Sequence, residues 1–185
     1  MSRLVVLAGP SGVGKGTVLQ EVRRLLPDLW TSVSVTTRAP REGEVEGRHY
    51  HFVDRAEYDR LVAGGELLEH SVHFGNGYGT PRGPVERALA EGRPAVLEID
   101  YVGARQVREA MGGRAALVML LPPSMAELER RLAGRGTEDA AAVARRLDRA
   151  REEIAAQGEY DLAVVNVDVG ETARQLIPLW GSQQV

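Results

Sequence analysis

The stretch GPSGVGKGT, from Gly9 to Thr17, constrains the fold of this chain more than any other. An unbroken apolar run, Leu4 to Ala8, precedes it. Val18, Leu19, Val22, Leu25 and Leu26 follow at helical spacing, up to Pro27. A short run apolar on every residue predicts a strand buried on both faces, hence a parallel sheet with helices on either side. The four glycines between strand and helix let successive backbone N–H groups curl round an anion, with the positive end of the helix dipole behind them. Lys15 is the only lysine among 23 Lys+Arg. A compact ammonium on a flexible stem can follow a phosphoryl group in a way that a planar guanidinium cannot. The spacing Gly9-x-x-x-x-Gly14-Lys15 therefore predicts a phosphate-binding loop. The residue after such a lysine ordinarily supplies a hydroxyl to Mg²⁺. Here it is Gly16. Either Thr17 takes that role, or the ion is held mainly by water and substrate phosphates.

The strand–helix alternation recurs. Strands are expected at Pro94–Ile99, Arg114–Leu121 and Asp161–Val167, with helices at about Val102–Met111, from Ser124 to about Leu132, over EDAAAVARRLDRAREEIAA, and over ETARQLIPLW. Between Ser32 and about Gly79 the rhythm breaks. SVSVTT alternates like a strand, RAPREGEVEGRHYHF is polar and glycine-rich, and DRAEYDRLVAGG reads as a short helix started by Asp54. This segment is expected to be a small mixed insertion. AGRGTED, Ala133 to Asp139, is a second break and a candidate lid. The expected division is a single domain, 1–185, with core segments 1–31, 81–132 and 147–185, the insertion at about 32–80 and the lid at about 133–146.

A length of 185 residues suits one domain. The five apolar residues near the start are too few for a signal or a membrane span. The absence of cysteine fits a reducing cytoplasm. A net charge of -3 argues against a broad nucleic-acid or anionic-membrane surface, so anion binding must come from local clusters. Arg38 and Arg41 form one such cluster, since arginine forks match phosphate bidentately. Tyr50 and Tyr78 add hydroxyls. Glu69 and Asp100 are carboxylates unsuited to a phosphate but able to accept from N–H groups of a base. Guanine offers N1–H and the N2 amino group on one edge, and adenine has no such pair. Two arginines for a phosphate and a carboxylate for that edge would select GMP.

The motifs GPSGVGKGT, SVSVTTRAPREGEVEGRHYHF, GNGYGT, EID, RRLAGRGTE and VVN occur in that order over essentially the whole chain. Their pattern resembles that of the guanylate kinases, within the nucleoside monophosphate kinase group. The resemblance implies an α/β fold of P-loop NTPase type, a parallel sheet flanked by helices with a small mixed GMP-binding insertion and a helical lid. It implies ATP as donor, GMP and dGMP as acceptors, Mg²⁺ as cofactor, and no nucleic-acid or membrane partner. It implies a donor site of Gly9, Pro10, Ser11, Gly12, Val13, Gly14, Lys15, Gly16, Thr17, Arg131, Arg135 and Asn166, the last near the adenine. Ser34 and Glu69 would touch guanine, with Thr80 and Asp100 beside them and Gly79 also in the GMP site, and Arg38, Arg41, Tyr50 and Tyr78 would hold the GMP phosphate. Lys15, Arg38, Arg135 and Arg146 would be catalytic, and Thr17 a metal ligand. The family often has Asp where this chain has Glu98, a second departure bearing on the metal.

Rival readings fare worse. A catalytically silent interaction module would be expected to lack Lys15 or the arginines. A kinase for another acceptor would not need the Arg38–Tyr50 block with Glu69. His49, His51, His70 and His73 lack a carboxylate pattern that would make a metal site.

Overall fold

The computed structural model describes residues 4–73, 75–133 and 140–181. Its core is a five-stranded sheet in which every pairing is parallel: β1 (Leu4–Ala8), β2 (Trp30–Thr31), β7 (Ala95–Glu98), β8 (Ala115–Leu121) and β9 (Leu162–Val165), in the order β2-β7-β1-β8-β9. The central strand β1 is buried throughout. Its side chains alternate between two cores, as a period of two requires. Val5 and Leu7 join Val18, Leu19 and Val22 of α1 (Lys15–Leu25) and Leu176 of α7 (Val169–Leu176). Leu4, Val6 and Ala8 join Val85 of α3 (Arg82–Ala90) and Ala104 and Val107 of α4 (Tyr101–Met111). Trp180 closes the first core, its indole N–H donating to Ala95 O at 2.8 Å.

The insertion forms its own mixed sheet: β3 (Val35–Thr36), β4 (His51–Phe52), β5 (Leu67–His73) and β6 (Asn76–Pro81), ordered β4-β3-β6-β5. β3 pairs parallel with β4 and antiparallel with β6, and β5 pairs antiparallel with β6. Helix α2 (Arg55–Ala63) covers one face, started by Asp54, whose carboxylate accepts the Glu57 N–H at 2.8 Å. Tyr58, Val35 and Leu67 make the small core.

SVSVTT, residues 32–37, is strand over only part of its length: β2 ends at Thr31, just before it, and within it only Val35–Thr36 forms a strand, β3, in the insertion sheet. Helix α3 was not among the expected elements. Pro84 stands in the first turn, where its missing N–H leaves no helical bond unmade.

Helices α5 (Met125–Ala133) and α6 (Ala140–Ala155) pack together through Leu128, Leu132, Leu147 and Ala150. Of the candidate lid at about 133–146, residues 134–139, with Arg135, lie outside the described residues, and 140–146 belong to α6. No helix among the described residues is long and apolar enough to cross a membrane.

Candidate active site

A cleft of about 1210 Å³ opens where the carboxyl ends of β1 and β7 meet the insertion sheet and α6. Ligands of open α/β sheets bind at this edge.

The Gly9–Thr17 loop forms one wall. Gly9 has φ 142°, and a Cβ there would stand 2.5 Å from Leu120 O, so only glycine fits. Gly14, at φ 102°, precedes the first turn of α1, which carries neither a side-chain cap nor an acidic residue. The N–H groups of an uncapped first turn are suited to receive an anion. The Lys15 ammonium bonds to Gly9 O at 2.5 Å and reaches Pro10 O at 3.4 Å. Burial lowers its pKa, while Glu98, Glu153 and Asp100 act the other way. The loop is held from behind. Asn166, 3% exposed, donates to Val13 O at 2.9 Å and accepts from the Thr172 hydroxyl at 3.1 Å. Arg131 donates to Val13 O at 3.2 Å and to Glu127 at 2.8 Å. Both contacts brace the loop. Arg146 of α6 donates to the Ser11 hydroxyl, tying that helix to the loop.

Across the cleft, Ser34, Tyr50, Glu69, Tyr78, Gly79 and Asp100 come together on the lining. Glu69 is 4% exposed. Burial raises its pKa to about 7, against the Thr80 hydroxyl, which donates to Oε1 at 2.7 Å and favours the anion. Asp100 caps α4, Oδ1 accepting the Gly103 N–H at 2.9 Å. Its Oδ2 lies 2.8 Å from His73 Nε2 and 3.1 Å from an Arg149 nitrogen.

Arg38 sits just behind this lining. Its guanidinium lies 5.4 Å from the Tyr50 ring centroid and pairs with both oxygens of Glu44, at 2.8 and 3.0 Å. Its Nε is buried with no hydrogen-bond partner among the described residues. The Arg41 N–H bonds the same carboxylate at 2.7 Å, and the Arg41 side chain is exposed on that turn. These donors hold the Glu44 carboxyl at about 2, with Arg38 the largest cause. Glu44 thus sets the placement of both arginines. Sequence reasoning missed it, although it lies inside the quoted Arg38–Tyr50 block. Arg149 and Glu153 were missed too, since a pair four apart on an arginine-rich helix reads as a solvated face.

Thr17 is exposed on the first turn of α1, and a Cβ at Gly16 would meet nothing within 4 Å. Space therefore does not explain the missing hydroxyl. No group of three or more His, Asp or Glu that could hold a metal occurs among the described residues.

The guanylate kinase family model matches residues 1–180. The chain belongs to the guanylate kinase family. It is 58% identical over 177 residues to the guanylate kinase of Thermobifida fusca (strain YX), covering 96% of this chain and 90% of that one. To the guanylate kinase of Parasynechococcus marenigrum (strain WH8102) it is 53% identical over 181 residues, covering 98% and 99%. The crystal structure of guanylate kinase from Anaplasma phagocytophilum superposes with a TM-score of 0.76 at 39% identity, over 96% of this chain and 84% of that one. Membership makes the chain an enzyme, a nucleoside monophosphate kinase.

Proposed function

We propose that the cleft carries out the reaction of guanylate kinases, ATP + GMP giving ADP + GDP, with the donor on the loop wall and the acceptor on the insertion wall. The observation that carries the assignment of walls is the contrast between them. One wall presents glycine-lined N–H groups with a lysine, and the other a buried carboxylate, Glu69, with Arg38 and two tyrosines nearby.

On the acceptor side, the Glu69 carboxylate takes the guanine N1–H and N2 amino group, and Ser34 and Asp100 bound the base. The Arg38 and Arg41 forks and the Tyr50 and Tyr78 hydroxyls hold the GMP phosphate. On the donor side, the loop amides cradle the ATP phosphates, and Lys15 leaves the carbonyls of Gly9 and Pro10 to follow the group in transfer. Asn166 serves the donor indirectly, by fixing Val13. Arg131 does the same from α5. Arg146, already on Ser11, brings its charge to the transferring group; the same role is proposed for Arg135. The division into core, insertion and lid follows from this reading.

The chemistry asks little more. A GMP phosphate oxygen is an anionic nucleophile and needs no general base. Catalysis is in-line positioning with charge neutralisation, and closing of the walls excludes water. Mg²⁺ demands oxygen ligands, keeps several waters and is usually held by one or two protein groups plus phosphates. Scattered oxygens, Thr17 on α1 and Glu98 at the end of β7, fit that pattern and not an all-protein cage. The ion would supply charge neutralisation at the β- and γ-phosphates. The cytoplasm, which holds both nucleotides, is the compartment this reading calls for, with dGMP as an alternative acceptor. The test is Glu69→Ala: the KM for GMP should rise by about tenfold or more while that for ATP holds. Equal losses for both would contradict the assignment of walls.

A further inference from the structure

Glu69 lies on β5, the edge strand of the insertion sheet, and α4 of the core runs alongside that edge. Two contacts set their separation. The Gln106 side chain pairs with the His70 backbone twice, Nε2 donating to His70 O at 2.8 Å and Oε1 accepting the His70 N–H at 3.0 Å. One residue away on β5 and one helical turn away on α4, the Glu69 carboxylate lies against Gly103. A Cβ built on Gly103 would stand 2.6 Å from Glu69 Oε2 and 3.1 Å from Glu69 Cδ, well inside an ordinary contact of about 3.5 Å. Gly103 does not have the positive φ that would demand glycine, and Ala is favoured over Gly inside a helix. What keeps the position bare is the carboxylate.

We propose that Gly103 is a specificity-determining residue for the acceptor base: its missing side chain sets how deep the Glu69 carboxylate sits, and Gln106 prevents α4 from moving away to make room. The inference rests on the reading of Glu69 as the group that takes guanine. Oε1 is fixed by Thr80, so a side chain at Gly103 must turn the carboxylate or push β5 outward. Either movement takes Oε2 out of register with the guanine edge. A displacement of about 1 Å at a positioning group costs on the order of 10²-fold. Gly103 also donates its N–H to Asp100, so both acceptor-side carboxylates are referenced to one residue.

The experiment measures KM and kcat for GMP, for IMP, which lacks the 2-amino group, and for ATP, in Gly103→Ala, Glu69→Ala and the double variant. Gly113→Ala, where a Cβ meets nothing within 4 Å, is the control. In Gly103→Ala the KM for GMP should rise about tenfold or more, that for ATP should stay within about twofold, and the preference for GMP over IMP should collapse. In the Glu69→Ala background the same substitution should cost nothing further, because no carboxylate remains to displace. An unchanged GMP KM and preference in Gly103→Ala would overturn the proposal, and so would a full penalty persisting without Glu69. If Glu69→Ala itself leaves GMP selection intact, the reading of Glu69 has failed first, and the inference falls with it. Should Gly103→Ala not fold, Gln106→Ala carries the test: releasing the clamp should loosen selection of GMP over IMP, and unaltered selection would overturn the proposal.

Discussion

Glu69 and Thr80 face each other across β5 and β6, and the Thr80 hydroxyl donates to Glu69 Oε1 at 2.7 Å. This bond is the polar anchor of a buried carboxylate, and it engages only one of the two oxygens.

The first prediction concerns pH. Burial raises the folded-state pKa of Glu69 to about 7 from an ordinary 4.5. Between those values the folded chain binds a proton that the unfolded chain does not, so this group's contribution to stability is complete below 4.5 and is lost as pH rises through 7. GMP binding runs the opposite way, since only the anion accepts both guanine donors. The KM for GMP should fall as pH rises from 6 to 8, with the ATP KM flat over that range. Initial rates at varied GMP across this window check it, and a GMP KM independent of pH would contradict it.

Lys15→Ala should lower kcat by on the order of 10²-fold or more, while urea unfolding stays cooperative. Lys15→Arg should recover little, because a planar guanidinium cannot follow the phosphoryl group as a compact ammonium does. Single-turnover rates with both substrates saturating are the measurement.

Glu44→Ala should release Arg38 from its two-oxygen pairing and the Arg41 N–H from its acceptor. The expected result is a GMP KM raised by about tenfold, with a smaller effect on ATP. Glu44 also bears on acid stability. With its folded-state pKa near 2, its contribution is present above 4.5 and is lost as pH falls toward 2. Acid unfolding of Glu44→Ala should therefore depend less on pH in that interval.

Asn166→Ala removes the brace under Val13 and leaves the buried Thr172 hydroxyl without its acceptor. One such orphan costs about 1–3 kcal/mol, which for a chain of this size lowers Tm by several degrees, at about 2–4 °C per kcal/mol. A higher KM for ATP should accompany the loss. Calorimetry and donor kinetics on one preparation would test both.

What could be read from the sequence is what local chemistry decides. The run from β1 through the glycine loop into α1 needs only neighbours in the chain, and Asp54 caps α2 three residues from the N–H it accepts. The donor wall was legible for that reason. On the acceptor wall, residue types were legible but their partners were not. Glu69 shows in the sequence as an acid in a strand, yet its burial comes from Thr80 and Gly103, 11 and 34 residues on. Arg149 looked like a solvated helix residue, but reaches Asp100 because α6 crosses the cleft. Asn166 and Arg131 both reach Val13 O, 153 and 118 residues away in the chain, a contact that no local pattern specifies. The strand order β2-β7-β1-β8-β9 likewise depends on crossovers that no local pattern specifies.

The central claim is that the insertion wall selects guanine and the loop wall donates a phosphoryl group. A coupled ADP-release assay with ATP and Mg²⁺, comparing GMP, AMP, CMP, UMP and no acceptor, tests it most directly. Turnover with GMP, and with none of the other three, is the predicted result. Equal turnover with AMP and GMP, or none with any monophosphate from a folded sample that still binds ATP, would contradict it.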